Sequence, residues 1–305
     1  ERVEAVADAV HPVFLHLIKL ASRGEVLFAD DTSVKILACI RENKQKAEGE
    51  RTGTYTTGIV SRVDGYEIAI YRSGRAHAGE NVGKLLEARP AGLPVPVQIG
   101  DALSSNWSHT FTVIVAKCLA HARRHFVDIE TAFPDECKRV LDDLALIYRN
   151  DDATSGKTAA ERLAYHQKHS APVMESLRAW IEEQFEERRV EPNSSLGKAL
   201  TYMVKHWAGL TRFLEDGRAP LDTNAVERIL KLVVLNRKNS LFFRTEHGAA
   251  VGDIIASLVE SCRLNHVGAW EYLVALVRNA QVVRKAPAAW LPWNYPRDGT
   301  ARRAA

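Results

Sequence analysis

The sequence predicts a mixed α/β core that carries a large helical second half. Short β-rich runs alternate with helical segments from the beginning of the chain to about Ala120. From there to Gly217 the chain is rich in Leu, Ala, Glu, Arg and Lys with helical periodicity. With 46% hydrophobic and 26% charged residues, the composition is that of a globular protein with ample material for a core. Together these observations favour strands and helices first and helices afterwards.

The individual elements follow from apolar periodicity and from turn residues. The predicted order is a helix over residues 1–22, a buried strand over 26–29, a polar loop over 41–53, strands over 54–63 and 66–72, a helix over 80–88, strands over 94–99 and 111–116, and a helical block over 224–280 interrupted at 237–249. Asp64-Gly65 between the second and third strands is a strong hairpin signal. Pro134, Pro172 and Pro192 divide the long helical region into segments.

This order of elements predicts five consecutive regions. They are an N-terminal helix (1–23), the first part of an α/β core (24–125), a helical insertion (126–219), the last part of the core (220–280), and a Trp/Pro-rich C-terminal tail (281–305). In the tail we expect Trp290 and Trp293 to pack against the core rather than to stack on bases.

Bulk charge and local motifs exclude several classes of function. The formal net charge is only +3, from 41 basic and 38 acidic residues, so any nucleic-acid surface must come from local clustering. The sequence contains no Walker-type phosphate loop, Gly-x-Ser-x-Gly elbow or dinucleotide fingerprint. The four cysteines are scattered, and no signal peptide or membrane-length apolar run is evident. We therefore expect free thiols and a cytoplasmic protein.

Three acidic residues occupy positions that suit metal-dependent phosphoryl chemistry. Asp30 and Asp101 each follow a predicted strand, and Glu227 lies on a predicted helix that begins near Asp222-Thr223-Asn224. Carboxylates from separate elements can hold two divalent cations that stabilise the attacking and leaving oxygens of a phosphoryl displacement. The same placement also fits two strand-end turn residues and one surface helix residue.

Several segments, in order, resemble the transposases of the insertion sequence 66 family. They are Ala29-Asp30-Asp31-Thr32, Arg75-Ala76-His77-Ala78-Gly79-Glu80-Asn81, Gly100-Asp101-Ala102-Leu103-Ser104-Ser105-Asn106, Cys118-Leu119-Ala120-His121-Ala122-Arg123-Arg124, Glu191-Pro192-Asn193-Ser194, Pro220-Leu221-Asp222-Thr223-Asn224 with Glu227-Arg228, and Asn236-Arg237-Lys238-Asn239. The resemblance extends from about Ala29 to Leu291-Pro292-Trp293-Asn294-Tyr295. Any one segment would be weak support, whereas their joint occurrence in order is specific.

The resemblance implies a ribonuclease-H-like catalytic fold with a helical insertion before the last acidic residue. It implies Asp30, Asp101 and Glu227 as the catalytic and metal-binding triad of a DDE transposase, holding two Mg²⁺ or Mn²⁺ ions. The implied partner is double-stranded DNA, both transposon ends and target, bound by a homo-oligomer without a membrane. The implied location is the bacterial cytoplasm in association with the nucleoid.

Two acidic neighbours compete for metal-binding roles. The first motif has Asp-Asp-Thr where the family usually has Asp-Glu-Thr, so Asp31 is an alternative to Asp30 that the strand phase does not settle. Asp222 could assist a metal or cap the following helix. Cys118, His121 and His125 invite a zinc interpretation, but no further ligand motif completes such a site. We favour a core-facing Cys118 and a histidine near the DNA or the active site.

Six basic side chains are candidate phosphate contacts, in competition with ordinary solvated helix faces. They are Arg123, Arg124, Arg228, Lys231, Arg237 and Lys238. Full-length relatives are expected to carry a preceding zinc-binding and DNA-binding region, so we expect this chain to represent a part of such a protein. The sequence therefore predicts a transposase that cleaves and joins DNA ends, with a catalytically silent or domesticated DNA-binding fragment as the alternative.

Overall fold

The computed structural model describes residues 2–296, which divide into two compact units. The first unit contains residues 2–96, 104–113 and 224–296, and the second contains 97–103 and 114–223. Both units combine strands with helices, so the mixed α/β class predicted from the sequence is confirmed. The ribonuclease-H-like arrangement remains a prediction. Residues 297–305, the end of the predicted Trp/Pro-rich tail, lie outside the described residues.

Five strands and twelve α-helices make up the described part of the chain. The strands are β1 (Val26–Ser33), β2 (Tyr55–Val63), β3 (Tyr66–Gly74), β4 (Val97–Gly100) and β5 (Ile114–Lys117). The helices are α1 (Arg2–Ala21), α2 (Leu37–Asn43), α3 (Ala78–Leu86), α4 (Leu119–Val127), α5 (Pro134–Asp152), α6 (Ala159–His169), α7 (Ala171–Glu186), α8 (Ser195–Leu210), α9 (Asn224–Ser240), α10 (Glu246–Leu264), α11 (Ala269–Arg278) and α12 (Ala280–Lys285).

In the first unit, β1, β2 and β3 form an antiparallel meander. Val26 pairs with Arg62 and Asp30 with Gly58 across β1 and β2, while β2 and β3 pair from Val63 with Tyr66 outwards. The two-residue turn between them has positive φ at both Asp64 (50°) and Gly65 (81°). This is the backbone of the tight hairpin turn that an Asp-Gly pair favours, so the predicted hairpin is confirmed.

The core of the first unit lies on one face of this meander. Leu27 and Ala29 of β1 point into it together with Ile59 and Ile68 of the neighbouring strands, and helices α1, α3 and α10 cover it. Period-two alternation explains this placement, because residues 27, 29 and 31 of β1 share a face that residues 28 and 30 do not. Asp30 therefore lies on the face opposite this core cluster.

Helix α10 covers the outer edge of β3, the edge that does not pair with β2, with a ladder of polar side chains. Asp253, Ser257, Ser261 and Asn265 recur every four residues and so lie on one face of the helix or just past its end. Their oxygens accept from the backbone N–H groups of every second residue of β3. The pairs are Asp253 with Ser73 (2.6 Å), Ser257 with Tyr71 (2.9 Å), Ser261 with Ala69 (3.1 Å) and Asn265 with Glu67 (3.3 Å). The ladder satisfies an edge that would otherwise expose unpaired strand donors.

The second unit combines a parallel strand pair with a helical region. β4 and β5 pair in parallel from Val97 with Ile114 to Gly100 with Lys117. Helices α4 to α8 follow, so the helical character predicted for this region is confirmed. Pro134 and Pro172 fall in the first turns of α5 and α7, and Pro192 precedes α8, as expected for residues that cannot donate within a helix.

A buried polar network holds α5, α6 and α7 together in the second unit. His166 is fully buried and contacts Ser170 Oγ at 2.9 Å and Asp151 Oδ1 at 3.1 Å, while Arg162 donates to the same Asp151 oxygen. Burial alone would raise the pKa of Asp151, but His166 and Arg162 outweigh it and hold that pKa below its ordinary value. Because His166 and Ser170 are fully buried, this Ser-His-Asp arrangement is structural and has no access to substrate.

Several predicted boundaries were wrong, among them the start of β5, which begins at Ile114 and not at residue 111. β1 continues to Ser33 rather than ending before Asp30, because its polar end pairs with β2 as far as Tyr55. The predicted loop over 41–53 is helical at its start, where α2 extends to Asn43. β4 begins at Val97 and not at residue 94; the prolines there lack the N–H group that a strand ladder needs.

The described part of the tail packs as predicted. Trp290 is buried in the core cluster of the first unit, and its carbonyl accepts from Tyr272 Oη at 2.7 Å. Trp293 stacks on Tyr66 with ring centroids 4.2 Å apart. All four cysteines are buried and free, as expected. Among the described residues, none of the helices is both long and apolar enough to span a bilayer.

Candidate active site

Asp30 is held in the paired part of β1 and is half-buried. Its Oδ1 accepts from the backbone N–H of Asp31 at 2.8 Å and from Asn106 Nδ2 at 3.3 Å. Asn106 is 1% exposed and lies in the short 3₁₀ turn Ser104–Asn106 of the same unit. The strand backbone and the buried amide of Asn106 therefore orient the carboxylate of Asp30. A side chain that coordinates a metal has to be held in this way before the ion binds.

The neighbouring Asp31 is engaged in anchoring helix α3. Its Oδ1 accepts from Thr57 Oγ1 at 2.5 Å, and its Oδ2 accepts from the backbone N–H of Ala78 at 2.9 Å and contacts His77 Nδ1 at 3.1 Å. The carboxylate lies at the first turn of α3, where unpaired helix N–H groups and the helix dipole favour a negative charge. Asn81 completes the network by donating to Thr57 Oγ1 at 2.7 Å.

Helix α9 packs on the face of the meander to which Asp30 points. Gly58 is the direct antiparallel partner of Asp30, so a side chain at position 58 would share that face. A Cβ at Gly58 would come within 3.0 Å of Leu230 Cδ2 and 3.2 Å of Ile229 Cδ1. Gly58 therefore permits the close approach of α9, and the structure brings Asp30 and the helix that carries Glu227 onto one face of the first unit.

Glu227 lies in the first turn of α9, on its polar side. It is half-buried, whereas Val226 and Leu230 on the opposite side are buried in the unit. The polar side lines an open cleft of about 460 Å³ together with Asn224, Arg228 and Lys231. A carboxylate in the first helical turn is favoured by the helix dipole. Helix α9 is therefore amphipathic here, with its polar side at the cleft and its apolar side in the unit.

Asp101 belongs to the second unit and directly follows β4. It is half-buried, and its Oδ1 accepts from the backbone N–H of Leu103 at 3.0 Å, which closes a tight turn after the strand. The backbone N–H of Cys118, directly after β5, donates to the carbonyl of Gly100 at 3.1 Å and continues the parallel pairing. Asp101 thus follows the carboxyl end of a parallel strand pair, a common position for functional side chains in α/β folds.

The six basic candidates differ in how far they are available to a ligand. Arg123 and Arg124 on α4 and Arg228, Lys231 and Lys238 on α9 are exposed. Arg237 is half-buried, and its guanidinium donates to the backbone carbonyl and to the hydroxyl of Ser33 and contacts Thr32 Oγ1 at 3.4 Å. Arg237 therefore joins the end of α9 to the end of β1, in addition to any role toward DNA.

Three of the residues that shape these sites were not singled out by sequence reasoning. Asn106 lies within the Gly100–Asn106 segment that carries the family resemblance, and an amide directly after two serines gives no further signal. Gly58 is one of 18 glycines, and only the register of β1 with β2 reveals its importance. Tyr202, on α8, faces a cavity beside Asp101 that no sequence pattern predicts.

Comparison with known proteins provides a family assignment. A family model described as "Transposase IS66 family" matches residues 1–251. The chain is 35% identical over 203 residues to the uncharacterized protein y4jD of Sinorhizobium fredii (strain NBRC 101917 / NGR234), which covers 65% of this chain and 39% of that protein. It is 28% identical over 319 residues to the uncharacterized protein y4hP of the same organism, covering 99% of this chain and 56% of that protein.

These similarities have two bounds. The chain spans 39% and 56% of the length of the two curated relatives, so each of them contains sequence beyond the matched part. No solved structure matches the chain.

Proposed function

The chain belongs to the insertion sequence 66 family of transposases, and from this premise we propose that it catalyses metal-dependent cleavage and strand transfer at transposon ends. Asp30, Asp101 and Glu227 are the proposed catalytic and metal-binding acids. The observation that carries the proposal is the placement of Asp30 and α9 on the same face of the first unit, with Gly58 allowing the close approach.

The donor set fits the hard divalent cations of this chemistry. Carboxylate oxygens are the ligands that Mg²⁺ and Mn²⁺ prefer, and Asp30 and Glu227 are each half-buried on ordered elements. The proposed site takes two such ions, which would stabilise the attacking and leaving oxygens of an in-line phosphoryl displacement. Neither a cysteine thiolate nor a zinc ligand set is needed for this role.

Residues around the proposed acids have positioning, DNA-binding and structural roles in this proposal. Asn106 holds the Asp30 carboxylate at a fixed angle through its amide, so we assign it as a positioning residue. Arg228 and Lys231 border the cleft that contains Glu227 and supply positive charge for a DNA phosphate. Asp31 is assigned to the anchoring of α3 and not to metal, because three hydrogen-bonding groups already engage its carboxylate.

The test is strand transfer with pre-cleaved transposon-end DNA in Mg²⁺ or Mn²⁺, using the matching transposon ends. We expect joined product with the unmodified protein and none with Asp30→Ala, Asp101→Ala or Glu227→Ala, each of which should retain its circular dichroism spectrum. Retained metal-dependent joining in any one of the three variants would remove that residue from the triad. DNA binding without cleavage or joining under any metal would instead support a catalytically silent DNA-binding protein.

Metal binding provides a readout that does not depend on activity. Titration with Mn²⁺, monitored by electron paramagnetic resonance, measures how many Mn²⁺ ions the protein binds, and how tightly, in the absence of DNA. We expect Asp30→Asn to weaken Mn²⁺ binding and Asp31→Asn to leave it nearly unchanged. Equal weakening by the two substitutions would contradict the assignment of distinct roles to these neighbours.

A further inference from the structure

A cavity of about 390 Å³ opens in the second unit beside Asp101. It is lined by the turn after β4 and by one side each of α4 and α8. Its lining includes two acids, Asp101 and Asp128, the guanidinium of Arg124, and the rings of His125, Tyr202 and His206. The volume falls within the range of about 300–1,000 Å³ that is typical of sites for small organic ligands.

Aromatic rings form one wall of this cavity. Tyr202 and His206 are four residues apart on α8 and therefore lie on the same face of that helix. The Tyr202 ring centroid is 4.5 Å from that of His125 on α4 and 4.6 Å from that of His206. Tyr202 is only half-buried and His125 is exposed, so the wall can be reached from solvent. Such rings are the surfaces on which unstacked nucleobases pack.

The charges around the cavity favour a nucleotide within a DNA strand over a free multivalent anion. Arg124 is exposed and makes no ion pair within the part of the chain that the structure describes, so its guanidinium can meet a phosphate. Asp101 and Asp128 line the same cavity, and two carboxylates disfavour a ligand with several negative charges. A single phosphodiester carries one charge and can lie at Arg124, away from the acids.

A half-buried lysine, Lys117, supports the wall from behind. Lys117 Nζ lies 2.6 Å from His206 Nδ1, and Gly209 leaves room for the lysine stem, since a Cβ there would come within 2.7 Å of Lys117 Cγ. This contact fixes the His206 ring and orients its other nitrogen away from the lysine. Burial, followed by the charges of Lys117 and Lys205, lowers the pKa of His206, so the ring offers a neutral, stackable surface near neutral pH.

We propose that this cavity receives one unstacked nucleotide of the DNA substrate, with its base against Tyr202 and His125 and its phosphodiester at Arg124. The inference rests on DNA being the substrate, as proposed above, and adds that the strand is locally unpaired beside Asp101. Taking a base out of the stack costs a few kcal/mol, which the aromatic contacts of a dedicated pocket can offset.

The test compares two DNA duplexes in the presence of EDTA, so that binding is measured without chemistry. One duplex is fully paired and the other carries a single unpaired thymidine; both are labelled with fluorescein and titrated by fluorescence anisotropy. We expect the unmodified protein to prefer the duplex with the unpaired base, and Tyr202→Ala to reduce that preference by about five-fold or more. Tyr202→Phe, which keeps the ring, should retain the preference.

Two further variants separate the pocket from general folding. Thr201→Ala changes an exposed neighbour of Tyr202 on the same helix and should behave like the unmodified protein. Arg124→Gln changes an exposed side chain, so it should fold normally, and it should reduce the slope of log affinity against log salt by about one. Equal preferences in Tyr202→Ala and Thr201→Ala would overturn the proposal.

The outcome for the pocket is distinguishable from the outcome for the proposed function. Strand transfer that depends on the acidic triad, combined with no preference for the unpaired base, would overturn the pocket alone. Absence of binding to either duplex, together with absence of strand transfer, would overturn both.

Discussion

The neighbouring residues Asp30 and Asp31 allow the site to be tested by a matched pair of substitutions. Both carboxylates lie on β1 and both are half-buried, yet they point to opposite faces of the meander. Asp31 anchors α3 by accepting a hydrogen bond from the N–H of Ala78, and we propose that Asp30 binds metal. Asp31→Ala should therefore damage local stability, whereas Asp30→Ala should damage activity.

The magnitude for Asp31 follows from its contacts. Three groups hydrogen-bond to its carboxylate, and two of them, Thr57 Oγ1 and the N–H of Ala78, belong to fully buried residues. Hydrogen bonds to a charged group are worth about 1.5–3 kcal/mol each, and a buried donor left without a partner incurs a further cost. His77 can turn to water, so we expect Asp31→Ala to cost about 3–5 kcal/mol locally.

Hydrogen exchange measured by mass spectrometry is the suitable assay, because it reports the stability of α3 without assuming that the whole chain unfolds in one step. A loss of about 3–5 kcal/mol corresponds to exchange that is faster by about two to four orders of magnitude over the first turn of α3, beginning at Ala78. For Asp30→Ala we expect less than a ten-fold change there, together with loss of strand transfer.

The reasoning would be refuted by an exchange of these roles. Fast exchange at α3 and retained strand transfer in Asp30→Ala, with the opposite pattern in Asp31→Ala, would make Asp31 the metal ligand. A small effect of Asp31→Ala on exchange would show that the three hydrogen bonds contribute far less than their geometry implies.

Three further predictions concern the scaffold. Burial raises the pKa of Asp253 from 3.8 to about 6. Ionisation of this carboxyl therefore lowers the free energy of unfolding by about 3 kcal/mol above pH 6 and does not affect it below about pH 3.8. Urea unfolding should therefore show Asp253→Asn more stable than the unmodified protein at pH 7, with the difference shrinking toward pH 4; a pH-independent difference would contradict this. Gly58→Ala should displace α9 and lower strand transfer, whereas Gly74→Ala, with open space around it, should not; equal effects would remove the role of close approach. Arg237→Ala should make hydrogen exchange at the end of β1 faster and change the salt dependence of DNA binding little. Lys238→Ala should reduce that salt dependence and leave hydrogen exchange unchanged. The reverse pattern would make Arg237 a phosphate contact.

The elements that depend on local signals were predictable from the sequence. The hairpin of β2 and β3 was placed within two residues, because alternation and the Asp-Gly turn are both encoded locally. In α9 the apolar residues recur at helical spacing in the sequence, so the buried side of that helix is also encoded locally. The three acids could be named as a set only through the family resemblance, since their placement alone fits ordinary turn and surface residues.

Elements that depend on distant partners were not predictable. Helix α2 has no side-chain cap at Ile36; instead, its first N–H groups, of Leu37 and Ala38, donate to the carbonyls of Phe243 and Arg244, more than 200 residues away in the sequence. The end of β1 is polar and is a strand only because β2 pairs with it. The serine and aspartate ladder of α10 resembles an ordinary polar helix face until the edge of β3 is placed beside it.

These non-local contacts explain why the part of the proposed site that lies in the first unit can be rigid, although Asp30 and Glu227 come from separate elements. α9 is fixed near its start by the close approach at Gly58 and near its end by Arg237, which grips the end of β1. Asp30 lies on β1 directly opposite Gly58 and three residues before Ser33, which Arg237 contacts, and Asn106 holds its carboxylate from a third direction. A metal ligand gains affinity when its orientation is set before the ion arrives, because less conformational entropy is then lost on binding. The same logic predicts that substitutions at Gly58 or Asn106, which contribute no carboxylate, should weaken Mn²⁺ binding through misplaced ligands.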